Sequence, residues 1–226
     1  MKIPSGNRNL FNYKVSFLIL DYNKPEETSV CLRSIRENVK FNNYEVVFLS
    51  NGGKQDYVME HYNNGLIDRL ILNKRNSGCG GGTNALYNYC DTDFFLYVQN
   101  DQYLHRQFTL PELDALVNKL QEGYATVDLS GGAGHRDKFS ERAFFSTASV
   151  INANPEKGYG GPGPFETNTM WSEEMTRMYL DKNGLKVFHD WPILFANMGR
   201  FTVREDKDGK VTRKDLMTGL EEAYPQ

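Results

Sequence analysis

Polar side chains of the types that bind ligands follow three apolar segments of the chain, directly after the point where each segment ends. The last of these segments, residues 94–98, is followed by four polar side chains, of which Asp101 carries the only carboxylate. A buried strand normally ends in turn residues such as Gly, Pro or Asn, so this ending favours a binding site. The three polar clusters are Asp21-Tyr22-Asn23, Ser50-Asn51-Gly52-Gly53 and Gln99-Asn100-Asp101-Gln102.

The elements that would position these clusters alternate between strands and helices. Continuous apolar runs, typical of parallel strands covered on both faces, predict strands at 14–20, 44–49, 66–72 and 94–98. Helices are predicted between them, and the last one follows a glycine-rich turn at 76–84. This alternation predicts an α/β fold with a mostly parallel, Rossmann-like sheet flanked by helices. Ligands bind such sheets at the carboxyl ends of the strands, so we expect the three clusters to converge on one crevice.

The second half of the chain is less regular. The pattern predicts helices at 111–122, 171–183 and 214–223, strands at 125–129, 142–151 and 185–189, and a hairpin turn at 206–209. No linker, internal repeat or low-complexity tract interrupts the sequence. We therefore expect a single domain over 1–226, with one half at 14–104, a second at 105–200, and a C-terminal hairpin and helix at 201–226.

Composition excludes several classes of protein. The 226 residues are 39% hydrophobic and 24% charged, which argues against disorder, and the net charge of -3 argues against a dedicated nucleic-acid binder. No apolar run approaches the roughly 20 residues of a membrane span, and the first residues lack the apolar core of a signal peptide. The three cysteines show no paired spacing, so we expect a reducing, cytoplasmic location.

Five segments, taken in order, resemble the motifs of the family 2 glycosyltransferases, which have the GT-A fold. The first strand of that family ends in a Thr-Tyr-Asn-like segment followed by Pro and Glu, and the second typically ends in Asp-Asn-Gly-Ser. These are followed in that family by an Asn-x-Gly-x-x-Gly-Gly-x-Asn segment, then by a DxD-type motif, and then by Phe-Asp/Glu with a later Glu-Asp pair. The matching segments are LDYNKPEE at 20–27, SNGG at 50–53, NSGCGGGTN at 76–84, QND at 99–101 and GPGPFETNTMWSEE at 161–174. The resemblance covers about 14–198.

This resemblance implies an inverting transferase that moves a sugar from a nucleotide-diphospho-sugar to an acceptor hydroxyl. The implied donor is a UDP-, GDP- or dTDP-sugar, and the implied acceptor is a glycan or another hydroxyl compound. Residues 14–104 would form the nucleotide-sugar-binding half and 105–200 the acceptor-side half. The residues implied for binding the nucleotide sugar are Asp21, Tyr22, Asn23, Ser50, Asn51, Asn76, Gly78, Gly82, Asn84, Gln99 and Asn100.

The resemblance also implies a divalent metal, Mn²⁺ or Mg²⁺, that stabilises the charge gained by the departing diphosphate. Asp101 is the carboxylate implied for this metal, and His189 and Asn197 are further candidate ligands. Gln99 stands where the family has an acid, and one carboxylate holds a divalent ion less well than two. The segment can also be a polar loop without a metal, and Asp21 can equally be an Asx turn or a helix cap.

Two adjacent acids, Glu173 and Glu174, are the candidates for catalysis. An acceptor hydroxyl that attacks the sugar must lose its proton to a nearby base, and Glu174 matches the family's Asp in its Glu-Asp pair. Acids are also common in the first turn of a helix because they favour the helix dipole. Trp171 and His135 are expected on the acceptor side, although a Trp is more often a core anchor.

Other functions stay open. Family members commonly place an Asp where Ser50 stands, and together with Gln99 this keeps open a sugar-nucleotide or glycan binding protein with weak catalysis. A nucleotidyltransferase would typically carry a basic glycine-rich loop directly after the first strand, and DYNKPEE is not such a loop. A dinucleotide-binding site is disfavoured, because GCGGGT lacks the GxGxxG spacing and follows the third strand.

Overall fold

The computed structural model describes residues 13–130, 142–147, 150, 172–198, 201–205, 211–215 and 221–223. The described helices are α1 (Pro25–Asn38), α2 (Asp56–Asn63), α3 (Gly78–Asn88), α4 (Leu110–Gln121) and α5 (Ser172–Lys182). The described strands are β1 (Val15–Asp21), β2 (Val39–Lys40), β3 (Tyr44–Ser50), β4 (Arg69–Leu72), β5 (Phe94–Gln99), β6 (Gln102–Leu104), β7 (Phe108–Thr109), β8 (Tyr124–Asp128), β9 (Ala143–Thr147), β10 (Lys186–Phe188), β11 (Phe195–Asn197), β12 (Phe201–Glu205), β13 (Val211–Asp215) and β14 (Glu221–Ala223).

Seven of the described strands form one sheet in the order β10-β8-β9-β5-β1-β3-β4. Strand β1 lies in the interior of the sheet and pairs in parallel with β3 and β5, and β3 pairs in parallel with β4. Strand β9 is antiparallel to both of its neighbours, β5 and β8. The predicted mostly parallel sheet is therefore confirmed, and it draws strands from both predicted halves of the chain.

Side chains of β1 alternate between the two faces of the sheet, as the period of a strand requires. Phe17 and Ile19 pack in a core cluster with Leu32 of α1 and Leu116 of α4. Leu18 packs in a second cluster that includes side chains of α3 and α5. Helices therefore cover both faces, which explains why the strand sequences are continuous apolar runs instead of alternating ones.

The C-terminal helix predicted at 214–223 is wrong. The structure has a three-stranded antiparallel sheet instead, in which β13 pairs with β12 on one side and with β14 on the other. Val211 and Thr212 are β-branched and favour strands, and cross-strand pairing overrides the weak helical pattern that follows them. Residues 206–210 and 216–220, which include the predicted hairpin turn, lie outside the described part.

Two further boundaries differ from the prediction. The strand predicted at 142–151 ends at Thr147. The glycine-rich segment does not form a turn before a helix, because α3 already begins at Gly78 and contains the glycines. The side-chain oxygen of Asn76 accepts the main-chain N–H of Gly78 at 2.8 Å.

A buried charge network holds the amino ends of the central strands, away from the predicted crevice. The Glu45 carboxylate at the start of β3 accepts a hydrogen bond from the Ser16 hydroxyl at 2.7 Å. It also pairs with Lys14 at 2.8 Å and with Arg69 at 3.3 Å. Arg69 contacts a second acid, Asp91, at 2.9 Å. The side chain of Glu45 is 8% exposed and that of Asp91 is 66% exposed, so the same arginine meets one shielded and one solvated partner.

This difference predicts unequal effects of two conservative substitutions. Glu45→Gln should lower the free energy of unfolding by about 1–3 kcal/mol, since it removes the shielded charge that pairs with Lys14 and Arg69. The matched control Asp91→Asn should change it by less than about 0.5 kcal/mol, because water screens that pair. Urea denaturation of both variants measures the difference, and equal effects would contradict the assigned role of burial.

Candidate functional site

The three polar clusters converge at one edge of the sheet, as the sequence predicts. Asp21 at the end of β1 lies directly opposite Ser50 at the end of β3, and Leu20 lies opposite Gln99 at the end of β5. The Asn100 side-chain amide donates to the Asp21 carboxylate at 2.6 Å, which joins two of the clusters directly. The carboxyl ends of three parallel strands therefore form one polar crevice.

Asp21 is the buried centre of this crevice. It is 1% exposed and accepts hydrogen bonds from the hydroxyl groups of Thr28 (2.9 Å) and Tyr57, in addition to the Asn100 amide. Burial raises the pKa of the Asp21 carboxyl above its ordinary value, and the donated hydrogen bonds and the nearby Lys24 charge oppose that rise without cancelling it. A contact between this side chain and a nucleotide stays a prediction, because every partner seen here belongs to the protein.

Asn23 takes the left-handed backbone conformation, with φ of 52°, which is uncommon for a residue other than glycine. Its side-chain oxygen accepts the main-chain N–H of Lys54 at 2.9 Å, so it ties the end of β1 to the loop after β3. Asn23 is buried and Tyr22 is half-buried. The tight turn that begins α1 is thus fixed by a residue that tolerates positive φ.

Asn51 is saturated by protein partners. Its oxygen accepts hydrogen bonds from the side chain of Asn73 at 2.9 Å and from the main-chain N–H and hydroxyl of Ser77 at 3.2 and 2.7 Å. Its nitrogen donates to the Asn76 side chain at 3.1 Å and to the Gly78 carbonyl at 2.9 Å. The side chain therefore fixes the segment between β4 and α3, and a hydrogen bond from it to a base stays a prediction.

Glycines let α3 approach the crevice closely. A Cβ atom added at Gly82 would lie 2.5 Å from a Leu20 methyl group and 3.1 Å from the Asn51 side-chain nitrogen. Asn84 is buried in the same helix, and Ser50 is fully buried with no hydrogen-bond partner for its hydroxyl among the described residues. The glycine-rich segment therefore lets the helix contact both β1 and β3.

Asp101 carries a carboxylate that is already engaged. One oxygen lies 3.2 Å from the Lys24 ammonium group, and the other accepts a hydrogen bond from the Gln102 amide at 3.1 Å. The Asp101 carbonyl accepts the main-chain N–H of Met198 at 2.8 Å, and Asn197 pairs with Gln102 across β11 and β6. The fold therefore brings Asn197 beside Asp101, although Asn197 itself is exposed.

His189 follows β10 and faces Asp128 at the end of the neighbouring strand β8, so it does not lie at an acid of the β5 cluster. Its Nδ1 is 3.9 Å from an oxygen of Asp128, which is buried, and neither atom has a hydrogen-bond partner among the described residues. The other Asp128 oxygen accepts the main-chain N–H and the hydroxyl of Ser130. A metal-binding role for His189 stays a prediction, and its nearest acidic partner is one that the sequence did not indicate.

The candidate catalytic acids lie in the first turn of α5, where the sequence predicts them. Glu173 is half-buried and precedes the buried residues Thr176 and Leu180 by three and seven positions, so it shares their side of the helix. Glu174 occupies the next position, and its side chain lies outside the described part. Trp171 and His135 lie outside it as well.

Sequence reasoning missed four side chains of the crevice. Thr28 and Tyr57 complete the shell of Asp21, Lys24 pairs with Asp101, and Asp128 faces His189. Thr28 follows Lys24 by one helical turn, a spacing that could have placed its hydroxyl above the end of β1. The other three contacts join elements that are distant in sequence, and no local pattern indicates them.

The fold and the polar crevice define a GT-A glycosyltransferase scaffold, and comparison with known proteins supports that class. The family model of glycosyl transferase family 2 matches residues 16–183. The chain belongs to glycosyl transferase family 2. The predicted family is confirmed, and the expectation of a glycosyltransferase enzyme is confirmed at the level of the family. Comparison with curated protein sequences gave no match.

Solved structures of similar fold include the mannosyltransferase PcManGT from Pyrobaculum calidifontis, in complex with GDP-Man and Mn2+. It has a TM-score of 0.64 and 12% sequence identity, over 83% of this chain and 58% of that one. TarS from S. aureus has a TM-score of 0.60 and 16% identity, over 83% of this chain and 37% of that one. TarS 1–349 in complex with UDP-GlcNAc has a TM-score of 0.59 and 15% identity, over 86% of this chain and 60% of that one.

These likenesses confirm the predicted GT-A fold. The chain spans 37% to 60% of the lengths of these three structures. None of the helices in the described part combines the length and apolar character that a membrane crossing requires. Among the described residues, no three His, Cys, Asp or Glu side chains lie together in a way that could hold a metal ion.

The loop after β3 packs against the segment between β4 and α3. Adding a methyl group at a glycine of this loop should therefore lower the free energy of unfolding. Gly52 has φ of 90°, and an added Cβ would lie 2.6 Å from the main-chain nitrogen of Asn76 and 2.7 Å from the carbonyl carbon of Arg75. Gly65 has a similar φ of 74° but open space around it. Gly52→Ala should therefore lower the free energy of unfolding by about 2 kcal/mol more than Gly65→Ala.

Denaturant unfolding of the two variants checks this prediction. Gly65→Ala controls for the strain of positive φ, since both glycines share that conformation. If the two variants unfold at the same denaturant concentration, the loop after β3 does not pack against the main chain as described.

Proposed function

We propose that this protein is an inverting glycosyltransferase that moves a sugar from a nucleotide-diphospho-sugar to an acceptor hydroxyl, with help from a divalent metal. The observation that carries the proposal is the convergence of the three strand-end clusters on one crevice, joined by the Asn100–Asp21 hydrogen bond, in a member of this family. The related structures in complex with GDP-Man, UDP or UDP-GlcNAc support a nucleotide-sugar donor.

In the proposed donor site the crevice residues have three roles: some shape the crevice, some contact the nucleotide sugar, and some bring α3 close to it. Asp21, Asn23 and Asn51 shape the crevice through their protein contacts. Tyr22 and the main chain at Ser50 contact the base and ribose, and Gln99 and Asn100 lie toward the ribose or sugar. Asn76, Gly78, Gly82 and Asn84 bring α3 close to the nucleotide.

A nucleotide-dependent metal site fits the residues present. Mg²⁺ commonly binds one or two carboxylates together with substrate phosphates and water. Asp101 supplies one carboxylate. One oxygen of that carboxylate already pairs with a cation, the Lys24 ammonium group. Asp101 would hold Mn²⁺ or Mg²⁺, with Asn197 close by and His189 as a further candidate. The bound ion would supply Lewis-acid stabilisation of the charge that develops on the diphosphate.

The transfer itself is a single displacement. The acceptor oxygen forms a bond to the anomeric carbon while the bond from that carbon to the β-phosphate oxygen breaks, so the configuration inverts. Glu174 takes the proton of the acceptor hydroxyl, and the nucleoside diphosphate leaves with the electron pair. Glu173 is adjacent and is the alternative base. Trp171 and His135 would contact the acceptor, which is a glycan or another hydroxyl compound.

We infer that residues 1–226 act as one domain, in which 14–104 form the donor half and 105–200 the acceptor half. The central sheet draws its strands from both halves, which supports a single domain. We also propose a reducing, cytoplasmic environment, because three cysteines without paired spacing are not typical of a disulfide framework.

A second candidate function is a binding protein for sugar nucleotides or glycans with weak catalysis. Two observations favour it: Gln99 is neutral where the family has an acid, and the Ser50 hydroxyl is buried where the family places a base-binding Asp. The two functions differ in the rate of acceptor-dependent release of nucleoside diphosphate, which is high only for the transferase.

Donor binding is tested by thermal unfolding with UDP, GDP, dTDP and their sugars, each with and without Mn²⁺. A ligand that binds only the folded state stabilises it by about 2.7 kcal/mol at a hundredfold excess over its dissociation constant. We expect a rise in melting temperature for nucleotides of one base, larger with Mn²⁺. The same nucleotides with Asp101→Asn should lose the Mn²⁺-dependent part of the rise. No rise for any nucleotide would refute the donor site.

Catalysis is tested by exchanging the two adjacent acids separately. Glu174→Gln should lower kcat by about 10² to 10⁴ while the nucleotide-induced thermal shift is retained, because it removes only the general base. Glu173→Gln is the matched control and should leave kcat nearly unchanged. The release of nucleoside diphosphate in the presence of acceptor is the measurement. A large loss in Glu173→Gln alone would assign the base to Glu173, and no loss in either would remove this helix from the mechanism.

A further inference from the structure

The Lys24–Asp101 ion pair is unusual for its position in the crevice. The ammonium group lies 3.2 Å from the Asp101 oxygen, and the two side chains are 13% and 17% exposed. Charges that are this well shielded interact more strongly than an exposed pair, because water screens them less. The contact joins the first residues of α1 to the end of β5, so it spans the mouth between two of the polar clusters.

The main chain of Lys24 is fixed at both of its polar groups. Its N–H donates to the Asp21 carboxylate, and its carbonyl accepts the main-chain N–H of Thr28 at 2.9 Å. Among the described residues, the Lys24 side chain makes one polar contact, that of its ammonium group with Asp101. A lysine is a compact cation on a flexible stem of four carbons, so its head can change partner while its backbone stays in place.

Asp101 is the acid of the crevice whose partners can change. Asp21 is enclosed by donors from three different elements, and Gln99 is neutral. One Asp101 oxygen is bound by the Gln102 amide, which is fully buried and immobilised in β6. The oxygen held by Lys24 is therefore the one from which a partner can leave.

We propose that Lys24 is a resident counter-cation of the donor site, which occupies Asp101 in the free protein and moves onto the donor diphosphate when a divalent cation binds Asp101. The proposal rests on the proposed function and adds to it a competition between Lys24 and the metal for one oxygen. Metal binding then depends on the nucleotide, because the diphosphate both supplies oxygen ligands to the metal and offers the displaced ammonium a new anion.

The competition predicts that removing the ammonium strengthens metal binding in the absence of nucleotide. Mn²⁺ binding to the full chain is measured from the electron paramagnetic resonance signal of free Mn²⁺. Lys24→Met should bind Mn²⁺ about tenfold more tightly than the wild type, since a shielded positive charge next to the ligand oxygen is gone. Lys24→Arg keeps the charge and should stay close to the wild type.

Two control variants separate this effect from a general change in charge. Lys74→Met removes one exposed positive charge from the turn after β4, at the same edge of the sheet, and should change Mn²⁺ affinity by less than about twofold because salt screens it. The double variant Lys24→Met/Asp101→Asn should lose the gain, since Asp101 is the oxygen that the gain depends on. Melting temperatures of all variants establish that each is folded.

UDP and GDP, added separately, complete the test. In the wild type one of them should raise Mn²⁺ affinity strongly, and in Lys24→Met this enhancement should be smaller because the diphosphate has lost its ammonium partner. Should folded Lys24→Met bind Mn²⁺ no more tightly than the wild type, Lys24 is only a tie between α1 and β5 and the proposal is wrong. Lys24→Gln, which keeps a polar side chain of similar length, should show the same gain and replaces Lys24→Met if that variant does not fold.

Failure of the proposed function is a different result. If none of UDP, GDP and dTDP binds the wild type with Mn²⁺ present, the donor site is refuted. The comparison of Mn²⁺ affinities without nucleotide still decides whether Lys24 competes for Asp101.

Discussion

The crevice depends on the hydrogen bonds that the buried carboxyl group of Asp21 accepts. Its hydrogen-bond donors come from α1 (Thr28), α2 (Tyr57) and the end of β5 (Asn100), while Asp21 itself ends β1. A buried carboxylate without partners is strongly unfavourable, so these elements cannot separate without exposing or protonating it. One buried carboxyl group therefore sets the distance between two strand ends and the helices above them.

On the other side of β1, the neutral side chain of Asn51 fixes neighbouring elements in the same way. Asn51 joins the end of β3 to Asn73, Asn76 and Ser77, and so fixes where α3 begins. Gly82 then allows α3 to lie against Asn51 and Leu20. Motif residues that look like ligand-binding groups in the sequence are thus in large part the groups that give the crevice its shape. Their substitution would alter a binding site even without any direct contact with the ligand.

The sequence predicted those parts of the structure that follow from local periodicity. Apolar runs gave the central strands, and the rule that ligands bind at the carboxyl ends of parallel strands placed Asp21, Ser50 and Asn100 together. The antiparallel insertion of β9 and the C-terminal strands depend on pairing between distant segments. The glycines of α3 were expected in a turn, because glycine disfavours helices when packing is ignored, whereas here close packing requires them inside the helix.

Long-range side-chain contacts could not be predicted from the sequence, for a related reason. Tyr57 lies in α2, and Lys24 lies directly before α1. The sequence pattern predicts both helices. Which polar atom each side chain reaches, however, depends on how the helix is placed on the sheet. The contact of Lys24 with Asp101 spans 77 positions in the chain. A pattern of short motifs indicates that a charge is present near the crevice and does not indicate its partner.

The distribution of charge in the crevice follows from these contacts. Asp21 is enclosed by donors, Gln99 contributes no charge, and the Asp101 charge is balanced by Lys24. An unbalanced Asp101 would repel a diphosphate, since like charges in a poorly solvated crevice interact strongly. The replacement of an acid by Gln99 and the placement of Lys24 act in the same direction, because each lowers the negative potential that a donor meets on entry. Under the proposed function, a crevice of this kind would bind its metal only together with the anionic donor, whereas a site with two unpaired acids would favour binding the metal first.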